Sequence, residues 1–286
     1  MSEYRSSIAI VVAYFGKAPL GLPAFLLSCN ANPDIRWFVY TDFDLPSAIP
    51  PNVTMKSMSL HDLGVRASEV FRIRIDLVAT YPRKICDLKP AYGLIFDDDI
   101  GPFDFWACSD LDVVWGDLRR FLTPDLLAAH DIVSSRVGRL SGHFTLFRNT
   151  REINDVFQSI PGLMGKMTSP EYRGIDEPEL TAVLRRQGSS SSRLRRLLTA
   201  GVPLMPRVYW RRDLTTDAAH QRASLDDPTK ALRWCRGQAF GVDGRELMYL
   251  HLHKLEKYMH RIDFGFNDAP SAFAVTRHGF ELLEAG

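Results

Sequence analysis

Short apolar runs recur along the first half of the chain and are separated by polar or amphipathic stretches. Residues 8–13 (IAIVVA) and 36–41 (RWFVYT) are rich in β-branched and aromatic side chains, which is typical of buried strands. The segment 22–30 between them has a helical composition, so the order strand, helix, strand predicts a βαβ unit in an α/β fold. A third strand is expected at 53–57, and a helix at 61–81, where apolar residues share one face.

The pattern is weaker in the rest of the chain. We expect an acidic loop at 97–102, a flexible loop at 188–192 (GSSSS), and no internal repeat. A short strand should begin at residue 249, where alternation would point His251 and His253 to the same side. Further elements are expected as strands at 104–108, 131–135 and 142–148, and as helices at 117–127, 151–160 and 177–187.

Composition excludes several classes of protein. With 35 basic against 34 acidic residues, the net charge of +1 gives no reason to expect a nucleic-acid partner. The four cysteines form no CxxC pair, so a zinc or thioredoxin-like motif is not indicated, and a reducing compartment fits best. No apolar run reaches the roughly 18–20 residues that span a bilayer. Because the N-terminus also lacks signal-peptide features, we expect a cytoplasmic protein.

Two carboxylates follow the apolar run FWAC at 105–108. Asp110 and Asp112, with Leu111 between them, emerge at the carboxyl end of this predicted strand, where open α/β sheets place their ligands. Two anionic oxygen donors suit a divalent cation such as Mg²⁺ or Mn²⁺, which can offset the charge on a departing diphosphate. The alternative is that Asp110 caps the following turn and that Asp112 lies on the surface.

Other acidic and imidazole groups compete with this pair or complete it. Asp97, Asp98 and Asp99 also follow an apolar segment, but they are not embedded between apolar residues, so we expect a solvated loop. His251 and His253 offer imidazoles, which are common ligands of Mn²⁺. A histidine that returns to the acidic pair would complete the protein's share of a metal shell. The alternative for each is a surface or core-satisfied ring.

Several segments together resemble a family of bacterial glycosyltransferases found with surface-polysaccharide genes. They are KICDLKPAYG (84–93), FW (105–106), SDLDVVWGD (109–117), SGHFTLFRN (141–149) and YLHLHK (249–254). The likeness covers roughly residues 8–150 and the C-terminal motif, and it is thin over 185–245. Such proteins resemble the GT-A class, with a Rossmann-type α/β/α sandwich, a mixed, mostly parallel central sheet, and sites for a nucleotide sugar and a metal. The resemblance implies one domain, 1–286, with a nucleotide-sugar-binding half at about 1–150 and an acceptor-binding half at about 151–286.

The resemblance also implies the site residues. The DxD motif falls on Asp110 and Asp112, and the metal-binding histidine on His251 or His253, without a choice between them. Nucleotide-sugar contacts are implied at Ala13, Tyr14, Phe15, Asp42, Lys84, Asp87, Lys89, Asp110, Leu111, Gly142 and His143. Within this set, the first-strand exit (13–15) and Asp42 would contact the base and ribose, and 142–143 would line the acceptor side. Lys84, Asp87 and Lys89 match a helix that faces the donor, where a lysine can bind phosphate. The alternative for them is an ordinary surface ion pair.

Asp176 and Glu177 are the candidates for catalysis. An inverting transferase needs a carboxylate that takes the proton of the acceptor hydroxyl, and either residue could serve. The alternative is that Asp176 caps a helix that begins near Pro178. A retaining enzyme would not need this base, and the sequence leaves both outcomes open.

These patterns predict a glycosyltransferase that uses Mn²⁺ or Mg²⁺ and moves a hexose from a UDP-sugar to a glycan or a lipid-linked acceptor. A nucleotidyltransferase or sugar-nucleotide pyrophosphorylase should carry a Gly-rich basic loop after the first strand, whereas residues 14–17 hold one Gly and one Lys. A non-catalytic sugar-binding protein should lack the metal ligands, and both carboxylates are present. Arg193, Arg195 and Arg196 would either contact anionic lipid at the inner face of the membrane or form a solvated helix face.

Overall fold

The structure is a computed structural model, and it describes residues 5–80, 82–187, 206–227 and 230–283. The predicted loop 188–192 and Arg193, Arg195 and Arg196 lie outside these residues. The strands of the described part are β1 (Ile8–Ala13), β2 (Ile35–Thr41), β3 (Val53–Ser57), β4 (Phe105–Ser109), β5 (Val113–Trp115), β6 (Ile132–Ser134), β7 (Phe144–Arg148), β8 (Val208–Tyr209), β9 (Leu232–Cys235), β10 (Gln238–Phe240), β11 (Glu246–Leu247), β12 (Tyr249–His251), β13 (Arg261–Ile262), β14 (Ala272–Thr276) and β15 (Gly279–Leu282).

Most α-helices of the described residues are short. The α-helices are α1 (Leu22–Asn30), α2 (Leu60–Phe71), α3 (Tyr92–Ile95), α4 (Asp97–Ile100), α5 (Leu118–Phe121), α6 (Pro124–Ala129), α7 (Arg151–Asn154), α8 (Leu163–Thr168), α9 (Leu180–Gln187) and α10 (Ala218–Asp226). Tighter 3-10 helices occur at Pro82–Ala91, Val156–Ser159, Glu256–Tyr258 and Phe266–Asp268, and a π-helical turn occurs at Ile175–Glu179. Among the described residues, none of the helices has both the length and the apolar composition to cross a membrane.

The predicted α/β class with a mixed, mostly parallel central sheet is confirmed. Seven strands form this sheet in the order β3-β2-β1-β4-β7-β6-β8. The pairs β2–β3 and β6–β8 are parallel, whereas β7 is antiparallel to both β4 and β6. A second sheet, β11-β10-β9-β14-β15-β13, and the two-stranded pair β12–β5 were not predicted.

The chain forms two compact units that alternate along the sequence. The first unit holds Met1–Val11, Met58–Ser109 and Pro124–Arg211, and the second holds Val12–Ser57, Asp110–Thr123 and Arg212–Gly286. Asp110 and Asp112 lie in the second unit, whereas Asp176 and Glu177 lie in the first. The expected single domain with halves at about 1–150 and 151–286 stays a prediction.

Several predicted boundaries are wrong for identifiable reasons. The helix expected at 61–81 ends at Phe71, because Arg72 takes a left-handed conformation with φ 53°. Ser59 and Asp62 begin the same helix with a reciprocal capping box. The acidic loop expected at 97–102 is instead helix α4, whose three aspartates occupy its first turn, where the helix dipole favours negative charge.

The other predicted helices are interrupted rather than continuous. The stretch 117–127 divides into α5 and α6, since Pro124 begins a new helix. The stretch 151–160 divides into α7 and a 3-10 turn, and 177–187 begins as the π-helical turn before α9. Strand β12 ends at His251, so the expected continuation of this strand to residue 253 is wrong.

Large aromatic side chains form the core of the second unit around the short strand β5. Trp115 packs between Trp37 and Tyr249, with ring centroids 6.1 and 5.1 Å away. The Trp234 indole donates a hydrogen bond of 2.8 Å to the Trp115 carbonyl, which ties the second sheet to β5. These buried contacts fix the strand that directly follows the Asp110–Asp112 segment.

Candidate functional site

Backbone pairing places His251 beside Asp112, although the two residues are far apart in the sequence. Strand β12 is antiparallel to β5, and in this register His251 faces Val113, the residue after Asp112. The amide of Leu252 donates a hydrogen bond of 2.8 Å to the carbonyl oxygen of Asp112. The pairing therefore continues beyond the end of both strands and brings the side chains of Asp112 and His251 close together.

Asp110, Asp112 and His251 form a cluster that could hold a metal ion. One ligand atom from each of the three side chains lies within 4.8 Å of the others. His251 Nε2 is 3.4 Å from Asp112 Oδ2, and these two side chains are 12% and 15% exposed. The alternative that Asp112 lies on the surface is thus wrong. Leu111, between the two acids, is buried.

The two histidines of the C-terminal motif have different surroundings. His253 is exposed, and its ring stacks on the ring of His251 with centroids 5.9 Å apart. His253 does not belong to the ligand cluster found among the described residues. The sequence left the choice between these histidines open, and the geometry favours His251.

Two residues that the sequence analysis missed hold the strand of His251 in position. The His251 amide donates to Thr216 Oγ1 at 2.9 Å, and the Thr216 hydroxyl donates back to the His251 carbonyl at 2.8 Å. Gln221 Oε1 accepts a hydrogen bond of 2.7 Å from the Lys254 amide. Their partners are backbone groups 35 and 33 residues away, so no local sequence pattern could reveal them.

A third acidic residue, Glu256, belongs to the same electrostatic environment and was also missed. The pKa of Glu256 is raised, first by desolvation and then by Asp112 and Asp110, while His251 acts in the opposite direction. Desolvation also raises the pKa of Tyr14, with further contributions from Glu256, Asp112 and Asp42. The cluster is therefore a concentration of negative charge that a cation would offset.

The predicted nucleotide-contacting residues of the second unit form a turn after β1. Ala13 ends the strand, and the Gly16 amide donates a hydrogen bond of 2.6 Å to Asp42 Oδ1. Gly16 has φ +106°, a conformation that side chains rarely adopt. The rings of Tyr14 and Phe43 meet edge to face at 6.1 Å. Phe15 is half-buried in the same turn.

In the first unit, the predicted donor-facing residues Lys84, Asp87 and Lys89 are buried, with exposures of 1%, 0% and 2%. The surface ion-pair alternative is therefore wrong. Lys84 Nζ donates to Asp87 Oδ2 at 2.9 Å and to the Lys166 carbonyl at 2.6 Å. Lys89 Nζ donates to the Gly142 carbonyl at 2.9 Å. Direct phosphate binding by these lysines stays a prediction.

Asp87 joins this cluster to the segment that carries the candidate base. Its two carboxylate oxygens accept hydrogen bonds of 2.9 Å from the amides of Arg173 and Ile175. Both amides directly flank Gly174, the residue that precedes the π-helical turn. Such turns are frequent at functional sites. The buried carboxylate of Asp87 thus fixes the start of the π-helical turn that carries Asp176 and Glu177.

Asp176 and Glu177 have different partners within this turn. Tyr172 Oη donates a hydrogen bond of 2.8 Å to Asp176 Oδ1, whereas Glu177 Oε1 accepts one of 2.9 Å from the Gly142 amide. The helix-capping alternative for Asp176 is wrong, because Gly174 occupies the N-cap and no side chain caps this turn. A Cβ at Gly142 would collide with Asp176 Oδ2, so this close approach requires glycine.

The electrostatics of Asp176 suit proton transfer near neutral pH. The pKa of its carboxyl is raised to about 7, chiefly by burial and also by Glu177 and Asp87, although Lys89 and the Tyr172 hydrogen bond act in the opposite direction. His143, also predicted on this side, is 8% exposed, and its carbonyl accepts a hydrogen bond of 3.1 Å from Ser109 Oγ. A general base is most effective when its pKa lies near the working pH.

Three cavities of about 700, 590 and 390 Å³ are lined by residues of the first unit. Tyr172 lines the second of them, and Glu177 lines the third. Asp110, Asp112 and His251 line none of these three.

Comparisons with known proteins add one positive finding. Curated proteins give no match to this chain. A protein-family model described as "Family of unknown function (DUF6625)" matches residues 10–284, which is nearly the whole length. The predicted resemblance to bacterial glycosyltransferases stays a prediction. The extent of the match means that the chain belongs to DUF6625, a family of unknown function.

Proposed function

We propose that this protein is a metal-dependent glycosyltransferase of bacterial surface-polysaccharide synthesis. It would move a hexose from a nucleoside diphosphate, most simply UDP, to a hydroxyl of a glycan or a lipid-linked acceptor. The observation that carries the proposal is the convergence of Asp110, Asp112 and His251 within 4.8 Å at the segment between β4 and β5. A GT-A-like sandwich is part of the same proposal.

The donor atoms of this cluster suit a divalent ion. Two carboxylates and one imidazole combine hard oxygen ligands with a nitrogen ligand, which suits Mn²⁺ better than Mg²⁺. Desolvation is the main cause of the raised pKa of Glu256, and the nearby carboxylates of Asp112 and Asp110 add to it; a dication would neutralise this excess of negative charge. When bound, the ion would supply Lewis-acid stabilisation of the charge on the departing diphosphate.

The residues around the first-strand exit would hold the nucleotide. Tyr14 offers an aromatic face to the base, and aromatic rings stack well on nucleobases. Asp42 fixes the turn through the Gly16 amide, and its carboxylate has further lone pairs for a ribose or uracil donor. Tyr14 also interacts electrostatically with the acids, since desolvation raises its pKa and the negative charges of Glu256 and Asp112 add to this rise.

On the acceptor side, Asp176 is the better candidate for the base. The Glu177 carboxylate accepts a hydrogen bond from the Gly142 amide, whereas Asp176 accepts one from the Tyr172 hydroxyl and is the residue whose pKa is raised. A carboxyl with a pKa of about 7 is largely ionised slightly above neutrality and can then take a proton. The proposal accordingly favours an inverting reaction.

The proposal places the protein in the cytoplasm, free or at the inner face of the membrane. The four cysteines are present as thiols, which is compatible with a reducing compartment. The expected partners are a nucleotide-sugar donor and a hydroxyl-bearing acceptor, with no nucleic acid. The proposed donor and acceptor functions each rest on a separate set of contacts.

Calorimetric titration of UDP in the presence and absence of Mn²⁺ tests the proposal. We expect the wild type to bind UDP more tightly with Mn²⁺, and Asp112→Asn to lose this metal-dependent gain. Asp98→Asn is the matched control, since it removes an exposed carboxylate from the other acidic run. Metal-independent binding, or an equal gain in Asp112→Asn, would contradict the proposal.

Product analysis separates the proposal from its rivals. A glycosyltransferase slowly hydrolyses a UDP-hexose in the absence of acceptor and releases UDP. A sugar-nucleotide pyrophosphorylase would instead release pyrophosphate from UTP and a sugar 1-phosphate. A non-catalytic binding protein would do neither while still binding UDP.

A further inference from the structure

The cavity of about 390 Å³ in the first unit, here called the α9 cavity, lies between helix α9 and the connection from β6 to β7. Its surface is mainly apolar, and Leu140, Pro178 and Ala182 contribute to it. Its volume is near the lower end of the range for small-molecule sites, which is roughly 300–1,000 Å³. The space therefore suits one hydrocarbon chain better than a large polar ligand.

One side of α9 and of the turn before it forms most of this wall. Thr181 and Arg185 are four residues apart, as are Pro178 and Ala182, so the four lie on the same side of the chain. Thr181 Oγ1 accepts a hydrogen bond of 3.0 Å from the Leu140 amide. This bond joins the helix to the β6–β7 connection and holds the two sides of the cavity together.

Two arginines mark the open side of the α9 cavity. Arg139 and Arg185 both line it, and both are exposed. The Arg185 guanidinium donates a hydrogen bond to the Gly138 carbonyl and lies 6.0 Å from the centroid of the Trp210 ring. Arg185 is therefore held next to the backbone of Arg139.

The side chain of Arg139 is available to a ligand. Its backbone carbonyl accepts a hydrogen bond of 2.6 Å from Ser134 Oγ, and its backbone pairs with Arg136. Within the described parts of the chain, however, its guanidinium has no hydrogen-bond or ion-pair partner. A guanidinium offers five N–H donors in a planar fork, which suits the oxygens of a phosphate.

The charges at the α9 cavity favour an anion over a cation. Its lining holds the two arginines and one carboxylate, Glu177. Glu177 Oε1 already accepts a hydrogen bond of 2.9 Å from the Gly142 amide. Glu179, in the same turn, pairs with Lys166 at 2.6 Å. Neither acid therefore cancels the positive charge of the arginines.

An exposed apolar side chain lies beside these arginines. Val137 precedes Arg139 by two residues in the β6–β7 connection, and 56% of its surface is exposed. Apolar side chains next to cationic ones are typical of protein surfaces that contact the boundary between lipid head groups and hydrocarbon. The apolar cavity, the arginines and Val137 together match a ligand with a hydrocarbon chain and an anionic head.

We propose that the α9 cavity binds a phosphorylated lipid presented by a membrane. One hydrocarbon chain of the lipid enters the apolar cavity, and its phosphate contacts Arg139 and Arg185. The site lies within the first unit, and its binding of lipid needs no step of the proposed transfer reaction. It is therefore tested with the full chain in the absence of nucleotide and metal.

Calorimetry with n-octyl phosphate, kept below its micelle concentration, tests the chemistry of the ligand. We expect it to bind more tightly than inorganic phosphate, which lacks the chain, and than n-octyl β-D-glucoside, which lacks the charge. Octyltrimethylammonium should bind most weakly, because the arginines outnumber Glu177. The proposal is overturned if octyl phosphate does not bind, or if any of the other three probes binds as tightly.

Arg139→Gln tests the phosphate contact. It should weaken the binding of octyl phosphate at least about tenfold, because one of two charged contacts is lost. The exposed position of Arg139 means that this variant should still fold. Arg151→Gln is the matched control, since it removes the same charge from an exposed arginine on α7. Equal affinity in Arg139→Gln and the wild type would rule out the phosphate contact.

Ala182→Phe tests the hydrocarbon contact by filling the α9 cavity. We expect it also to weaken the binding of octyl phosphate at least about tenfold, while inorganic phosphate binds as it does to the wild type. Ala128→Phe adds the same ring to an exposed position on α6 and should change neither affinity. Unchanged binding of octyl phosphate by folded Ala182→Phe would show that the chain lies elsewhere.

Sedimentation with vesicles tests the membrane as the source of the ligand. The wild type should sediment with phosphatidylcholine vesicles that contain dodecyl phosphate and remain in solution with phosphatidylcholine vesicles alone. Arg139→Gln should be retained much less than Arg151→Gln. If octyl phosphate binds in solution but the doped vesicles do not retain the wild type, the ligand is a soluble phosphate ester and the membrane proposal is wrong.

Discussion

His251 Nε2 lies 3.4 Å from Asp112 Oδ2, and the pairing of β12 with β5 brings the two side chains together. The contact joins a motif near the middle of the chain to one near its C-terminus. Because both ligands follow from one strand register, a change in that register would separate them. The metal proposal can therefore be tested through the ligands and through the backbone that positions them.

His251→Ala should weaken Mn²⁺ binding at least about tenfold, which corresponds to about 1.4 kcal/mol. The reason is the loss of the single imidazole in the three-residue cluster. His253→Ala provides the control, as it removes an exposed imidazole two residues away. The affinity can be measured by calorimetry or by the paramagnetic effect of Mn²⁺ on water relaxation. A larger loss in His253→Ala than in His251→Ala would reverse our assignment.

Asp176→Asn should change how stability depends on pH. The pKa of Asp176 is raised from its model-peptide value of 3.8 to about 7 in the folded protein. Between these values the folded state holds a proton that the unfolded chain has released, so stability falls as pH rises towards 7 and then levels off. Each unit of pKa difference corresponds to about 1.4 kcal/mol, so this fall amounts to a few kcal/mol.

Urea denaturation at intervals between about pH 5 and pH 8 measures this effect. As pH rises across that window, the free energy of unfolding should fall in the wild type and not in Asp176→Asn. Asp98→Asn should show the same pH dependence as the wild type. A constant difference between the wild type and Asp176→Asn would show that the carboxyl is already ionised at the lower pH.

The sequence predicted the parts of this fold that depend on local pattern. The apolar runs identified β1 and β3 with the observed bounds, and the apolar run before Asp110 correctly placed the acidic pair at the end of a strand. Alternation around residue 250 was sufficient to single out the two histidines. It could not choose between them, because the choice depends on where β12 stops pairing with β5.

Long-range contacts explain what the sequence did not reveal. Lys84 and Asp87 have the composition of a surface ion pair, but Asp87 accepts hydrogen bonds from the Arg173 and Ile175 amides and is fully buried. The sequence around Asp87 reveals neither these distant partners nor the burial of the side chain. The sequence did not reveal the end of α2 at Arg72 either, because the helical spacing of apolar residues continues beyond this position.

Asp87→Ala should destabilise the protein by about 3–5 kcal/mol, since it leaves the buried Lys84 ammonium without its carboxylate partner. It also removes the hydrogen-bond acceptor of the Arg173 and Ile175 amides, at the start of the π-helical turn, so the pKa of Asp176 should change as well. Urea denaturation measures the stability loss. Lys230→Ala, which breaks the exposed pair with Asp227, should change stability by no more than about 0.5 kcal/mol. Similar small losses in both variants would argue against a buried ion pair.

Gly116→Ala should act on the metal cluster through the backbone. A Cβ at Gly116 would lie 2.7 Å from the Leu247 carbonyl oxygen and 3.0 Å from the Ala239 amide nitrogen, and neither backbone group can move freely. The Gly116 amide also donates a hydrogen bond of 2.8 Å to the Met248 carbonyl, directly before β12. We expect a loss of about 1–3 kcal/mol in stability and weaker Mn²⁺ binding, because β12 must shift away from β5.

Denaturation and calorimetry on the same preparation test both parts of this prediction. Gly165→Ala is the control for stability, because its new Cβ meets no atom within 4 Å and alanine favours the helical backbone. If Gly116→Ala folds with reduced stability and binds Mn²⁺ as tightly as the wild type, then strand register does not control the position of His251. Weaker binding in proportion to lost stability would instead link the cluster to the β5–β12 pairing, as the hydrogen bonds around Gly116 imply.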